Sequence, residues 1–155
     1  MSSGRTIGNG RGPLVLIVED HPDTQSMVAE HLTGRGFEVV VAADGITAMQ
    51  IVRDRRPRLV YLDLNLPHIS GYDVCEQIRA DPELENIAIL MTSARHTVDV
   101  HAYSLEAGAD VYMPKPYNFE ELTDQVERLC DRGRERASLV PDSTTGPKIG
   151  VSVAT

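Results

Sequence analysis

Five side chains in this sequence have the types needed to do chemistry together: the acid pair Glu19-Asp20, the single Asp63, the hydroxyl of Thr92 and the ammonium of Lys115. Three carboxylates with no thiol or imidazole at metal-ligand spacing form a hard, oxygen-only donor set, which suits magnesium (Mg2+). Two like charges about 4 Å apart repel by about 1 kcal/mol in water and about 4 kcal/mol at a protein-surface dielectric. Such a cluster therefore disfavours its own ionisation unless a cation sits among it. Lys115 is one of two lysines against thirteen arginines, and the other, Lys148, lies near the end of the chain. A compact ammonium suits a single carboxylate or phosphate oxygen, where a guanidinium would grip two.

These residues can meet only if distant segments deliver them to one place. Leu14 to Val18 is an apolar run that ends in Glu19-Asp20, and Leu59 to Leu62, bounded by Pro57 and Pro67, ends in Asp63. Apolar runs of this length between turn residues read as strands buried on both faces. Further strands are expected over Phe37 to Ala42, Ile87 to Thr92 and Asp110 to Met113. Between them, helical spacing comes after Pro22, Gly45, the Pro67 to Gly71 loop and Val98, and a last helix opens at Asn118 with Phe119, Leu122, Val126 and Leu129 as its apolar stripe. Asn118, with Glu121 three residues on, is a capping pattern. Five strands alternating with five helices demand a doubly wound α/β architecture, a parallel sheet covered on both faces and joined by right-handed crossovers. Ligands bind such sheets beyond the C-terminal ends of the strands, where all five chemical residues fall.

At 155 residues and 17.0 kDa the chain is large enough for one core without disulfides. Cys75 and Cys130 fall in helical patterns and read as small buried apolar residues. The formal charge of −8 is concentrated in the body, because residues 1–12 carry two arginines and no acid, and residues 131–155 carry one more basic than acidic group. So acidic a body argues against nucleic-acid binding. No run is long and apolar enough to span a bilayer and the N-terminus lacks a signal peptide's apolar centre, so no membrane association and a cytoplasmic location are expected. Residues 1–12, rich in Gly, Ser and Asn, are expected to be a flexible arm, and residues 134–155 a disordered tail. The five histidines show no metal-ligand spacing; His21 and His68, in loops near the acidic edge, are expected to be solvated. Lys115-Pro116 is a candidate cis bond.

The ordered set Glu19-Asp20, Asp63, Asn65-Leu66-Pro67 through Gly71, Thr92, Gly108-Ala109-Asp110, Tyr112 and Lys115-Pro116 resembles the receiver domain of two-component response regulators. The resemblance covers residues 13–133. It implies the flavodoxin-like (βα)5 fold of CheY-like proteins, with strand order 2-1-3-4-5, an order the general rules for such sheets already include. It further implies that Asp63 is a phosphoacceptor taking a phosphoryl group from a sensor histidine kinase or a histidine phosphotransfer protein. Mg2+ would sit on Asp20, Asp63 and the backbone carbonyl of Asn65, with Glu19 reaching it directly or through water. Thr92 and Lys115 would hold the phosphoryl oxygens, and Thr92 and Tyr112 would act as switch residues. The surface of the fourth helix, fifth strand and fifth helix would change and meet a protein target or a second copy.

On this reading the protein is a stand-alone receiver, or a phosphorelay intermediate, and not an enzyme in the turnover sense. A Mg2+-dependent aspartate-nucleophile phosphatase is the competing reading. That chemistry usually wants a second Asp where this chain has Asn65. A flavin-binding protein of the same architecture would want a Ser, Thr and Gly loop where Glu19-Asp20-His21-Pro22-Asp23 stands, and a binding-only relative would not need the complete acid, Thr and Lys set. Ala94, two residues beyond Thr92, offers no group to orient a hydrolytic water, so a phosphate lifetime not shortened from this side is expected.

Overall fold

Alternating apolar runs and amphipathic helices produce a six-stranded sheet in the computed structural model, which describes residues 5–7, 12–95 and 98–139. The strands are β1 (Arg5–Ile7), β2 (Leu14–Val18), β3 (Glu38–Ala42), β4 (Leu59–Asp63), β5 (Ala88–Ser93) and β6 (Val111–Pro114). The helices are α1 (Pro22–Gly34), α2 (Gly45–Arg55), α3 (Gly71–Ala80), α4 (Val98–Ala107) and α5 (Phe119–Leu139), with a 3-10 turn at Pro82–Leu84. The spatial order is β1-β3-β2-β4-β5-β6. Strands β2 to β6 are mutually parallel and reproduce the expected 2-1-3-4-5 order.

Side chains alternate between two cores with the period of two that an extended backbone imposes. Leu16, Val18, Val60, Leu62, Ile89 and Met91 face α2 and α3, while Val15, Ile17, Leu59, Tyr61 and Leu90 face α1 and α5. Every residue of β4 is buried, which is why its sequence shows no polar alternation. Cys75 belongs to the first core and Cys130 to the second, so the sheet separates the two buried cysteines. Burial lifts the Cys75 thiol to about 11.

Local signals set the helix ends. Pro22 occupies the first turn of α1, and the Asp44 carboxylate accepts from Thr47 N at 2.7 Å to start α2. Asn118 Oδ1 accepts from the amides of Glu120 at 2.8 Å and Glu121 at 3.1 Å, as its position before the last apolar stripe anticipates. A reciprocal Ser70 and Asp73 box starts α3, and only the structure brings it to notice. Lys115-Pro116 is cis.

Two boundaries differ from expectation. Within the expected flexible arm, Arg5–Ile7 pairs antiparallel with Val39 to Val41. The outer edge of β3 offers unpaired backbone groups to any short extended segment, a demand that three residues of local sequence do not advertise. The last helix continues to Leu139, into the expected tail from residue 134. The apolar stripe stops near Cys130, but helix propagation needs no packed face and meets no proline before Pro141. Residues 1–4, 8–11 and 140–155 of the expected arm and tail lie outside the described residues.

Ile89, fully buried in β5, tests how tightly this core is packed. Ile89→Ala should lose about 2 to 5 kcal/mol of stability, read as a lower urea midpoint with an unchanged slope.

Candidate functional site

Parallel strands bring the residues at their C-terminal ends to one edge, and here those residues are the chemical ones. Glu19 comes directly after β2, Asp63 ends β4, Thr92 lies near the end of β5, and Lys115 comes directly after β6. Ladder hydrogen bonding continues past the strand ends: Glu19 N donates to Ala42 O at 3.0 Å, Leu64 N to Thr92 O at 2.8 Å, and Lys115 N to Ser93 O at 2.9 Å. Asp63 and Thr92 are direct neighbours across the ladder. Backbone geometry, set before any side chain is placed, thus fixes where the four anchors stand.

The side chains complete a charge cluster. Lys115 Nζ donates to Glu19 Oε1 at 2.9 Å and to Asp63 Oδ2 at 3.4 Å. Asp63 Oδ1 accepts from the backbone amide of Asn65 at 3.2 Å, and Glu19 Oε2 from that of His21 at 3.2 Å. Glu19 and Asp63 are buried, whereas Asp20 is exposed at the rim. Oxygens of these three carboxylates lie within 4.8 Å of one another, a hard donor set with the spacing a small divalent cation requires.

The electrostatics arise from burial and from the single ammonium. Desolvation lifts the Glu19 carboxyl above its ordinary value, with the Asp63 charge adding to the rise and Lys115 opposing it. Burial pulls the Lys115 ammonium down, but its hydrogen bond to Glu19 and the charges of Asp63 and Glu19 outweigh that and raise it.

Thr92 is fully buried, and among the described residues its hydroxyl has no hydrogen-bond partner. An orphaned buried hydroxyl beside a carboxylate is a donor held ready for another acceptor. Tyr112 is buried, and its hydroxyl donates to Arg95 O at 2.6 Å, which ties β6 to the segment after β5. Asn65 and Ala94 are both exposed beside the edge.

Gln25 carried no signal in the sequence, whereas Gly71 was marked there as the end of the loop after Pro67. Gln25 Nε2 donates to Glu19 O at 2.8 Å and fixes the backbone at the acid pair from the first turn of α1. A Cβ on Gly71 would stand 2.6 Å from Asp63 O and 2.8 Å from Leu64 Cα, so the loop closes against the strand end only because that residue has no side chain. His21 and His68 are exposed as expected, and among the described residues no cluster of potential metal ligands includes a histidine.

The chain matches the family model of the response regulator receiver domain over residues 15–127. It is 40% identical over 121 residues to the DNA-binding response regulator MtrA of Mycolicibacterium smegmatis, covering 78% of this chain and 52% of that protein. It is similar to the crystal structure of a putative response regulator from Chloroflexus aurantiacus, with a TM-score of 0.76 and 33% identity, covering 79% of this chain and 100% of that one. It is also similar to the receiver domain of the sensor histidine kinase PA1611 from Pseudomonas aeruginosa, with a TM-score of 0.72 and 29% identity over 77% of this chain and 98% of that one. That structure has a magnesium ion coordinated in its active-site cleft.

The chain spans about half the length of the curated relatives it matches. The expectation of no nucleic-acid binding is corrected by the names of those relatives, which include DNA-binding regulators. Its charge argument reached only the acidic residues 13–130 and could say nothing of proteins in which such a body is half of a longer chain. No helix among the described residues is long and apolar enough to cross a membrane.

The Lys115 contacts fix the sign of a pH effect. A raised ammonium stabilises the fold fully below its ordinary value of 10.5 and loses that contribution as pH rises through the higher folded value. Lys115→Met should therefore unfold at lower urea than wild type at pH 7, by about 1 to 3 kcal/mol, and the gap should narrow above pH 10.5.

Proposed function

The chain belongs to the response regulator receiver family, and on that premise we propose that Asp63 accepts a phosphoryl group from the phosphohistidine of a sensor histidine kinase or phosphotransfer protein. The observation that supports this most is the placement of Asp63 beside the Lys115 ammonium and next to Thr92, whose buried hydroxyl has no partner among the described residues. Phosphoryl transfer needs an in-line nucleophile and positive charge over the equatorial oxygens, and little else from the protein.

In the step proposed, an Asp63 carboxylate oxygen forms the new bond to phosphorus as the bond from phosphorus to the imidazole nitrogen breaks. The electron pair stays on that nitrogen, and the carboxylate has no proton to lose. Glu19, Asp20, Asp63 and the Asn65 carbonyl would hold Mg2+, which neutralises charge on the transferring group. Lys115 keeps its ammonium beside Asp63 and draws the phosphoryl oxygens to that side. The Thr92 hydroxyl gains an acceptor that it lacks among the described residues.

A phosphoryl group adds roughly one to two negative charges beside Thr92 and Lys115. Thr92 and Tyr112 form the switch on this reading, and the face of α4, β6 and α5 is the readout. The effect is a shift between two packings, bounded by how much better phosphate suits one of them. Asn65, where a phosphatase of the aspartate-nucleophile kind would carry its second acid, favours a phosphoacceptor over a turnover enzyme. A receiver that works with a further output region fits the curated relatives better than a stand-alone one, since those relatives extend well beyond the half that this chain matches.

Incubation with acetyl phosphate and Mg2+ should add one phosphoryl mass to wild type and none to Asp63→Asn by intact mass spectrometry, and label in the variant at full yield would refute the assignment. Continuous turnover of many equivalents would indicate the phosphatase instead. Ala94→Glu should shorten the phosphoprotein lifetime by roughly threefold or more, since a carboxylate there can orient water, as followed by mass after donor removal.

A further inference from the structure

We propose that the hydroxyl pair of Tyr61 and Tyr117 is a positioning device that holds Lys115 over Asp63 and Glu19. Its consequence for rate rests on the reading of Asp63 as phosphoacceptor. The two phenol oxygens are 2.6 Å apart, and the rings meet edge to face at 6.4 Å. Tyr61 is fully buried among Ile17, Leu59 and Leu90, a place where an apolar side chain would fill space without needing a partner. A buried hydroxyl costs free energy unless bonded, so this phenol is compatible with its surroundings only through Tyr117.

The two partners sit where a tie would matter. Tyr61 lies two residues before Asp63 on β4, so both project from the same side of the strand. Tyr117 lies two residues after Lys115, on the segment that joins β6 to α5. The hydroxyl pair thus links the strand bearing the carboxylate to the loop bearing the ammonium. From the other side the loop has little support: Lys115, Pro116, Tyr117 and Phe119 line an open cavity of about 500 Å³ together with Thr24 and Met27. Inside, the loop is held by the bond from Lys115 N to Ser93 O and by the Tyr117 hydroxyl. Tyr117 also packs edge to face on Phe119 at 5.5 Å, and Phe119 stacks on His31 of α1 at 4.3 Å.

Conservative removal of the hydroxyls tests this in the full chain. Tyr61→Phe, Tyr117→Phe and the double variant keep the rings. Each single variant strands one phenol and should lower the urea midpoint, whereas the double strands none and should recover most of it. Two readouts separate positioning from stability. The first is the Lys115 side-chain signal in lysine-labelled protein, one of only two lysine signals, recorded without phosphodonor. It should move toward the free-lysine position in all three variants, the recovered double included. The second is the initial rate of mass gain with acetyl phosphate and Mg2+, which should fall about threefold to tenfold in all three, a loss below the roughly hundredfold that a full ångström of misplacement can cost. An unmoved Lys115 signal, or wild-type labelling in the double variant, overturns the proposal. If the signal moves but wild type itself takes no label on Asp63, the phosphoacceptor reading has failed while the positioning of Lys115 stands.

Discussion

Like charges forced together at the end of a sheet, with one ammonium among them, are the constraint on which the rest of this structure turns. Glu19 and Asp63 are buried and Asp20 is close by, so their mutual repulsion works against the fold that assembles them. Lys115 answers part of that repulsion by reaching both buried carboxylates. The remaining repulsion between the carboxylates is the kind that a cation among them would relieve. Natural sequences break local rules of stability mainly where function requires it.

The remainder of the fold keeps this edge rigid. Two cores grip the sheet from opposite faces, and the ladder bonds beyond β2, β4 and β6 carry its register into the loops. On the far side of the molecule Arg79 binds Gly108 O, Ile87 O and Asp110 at once, joining α3 to the turn that leads into β6. Tyr112 and Lys115 both lie at or just after the strand that this contact helps to seat.

The family relationship places this chain among the receivers of two-component signalling, and the curated relatives extend well beyond the part that it matches. Charge alone misled on that point. An acidic body argues about the surface it covers, and the relatives named as DNA-binding proteins extend well beyond the part that this chain matches. A structural relative holds magnesium in its active-site cleft, and Glu19, Asp20 and Asp63 form an oxygen-only cluster in this chain.

Much of the architecture was written in local sequence. Apolar runs ending in acids, a Thr and a Lys-Pro define parallel strands and their active ends, because burial on both faces removes polar alternation and crossovers have one hand. The ordered series of Glu19-Asp20, Asp63, Thr92 and Lys115 likewise needed no coordinates. Tertiary structure alone decided the rest: that β1 closes the edge of β3, that α5 runs on to Leu139, that Gln25 fixes the carbonyl of Glu19, and that Tyr61 and Tyr117 join their hydroxyls beneath the site. These depend on pairings between residues far apart in the chain or on contacts whose members have no distinctive type. Local periodicity records which face a residue turns inward, and not which distant side chain it meets there.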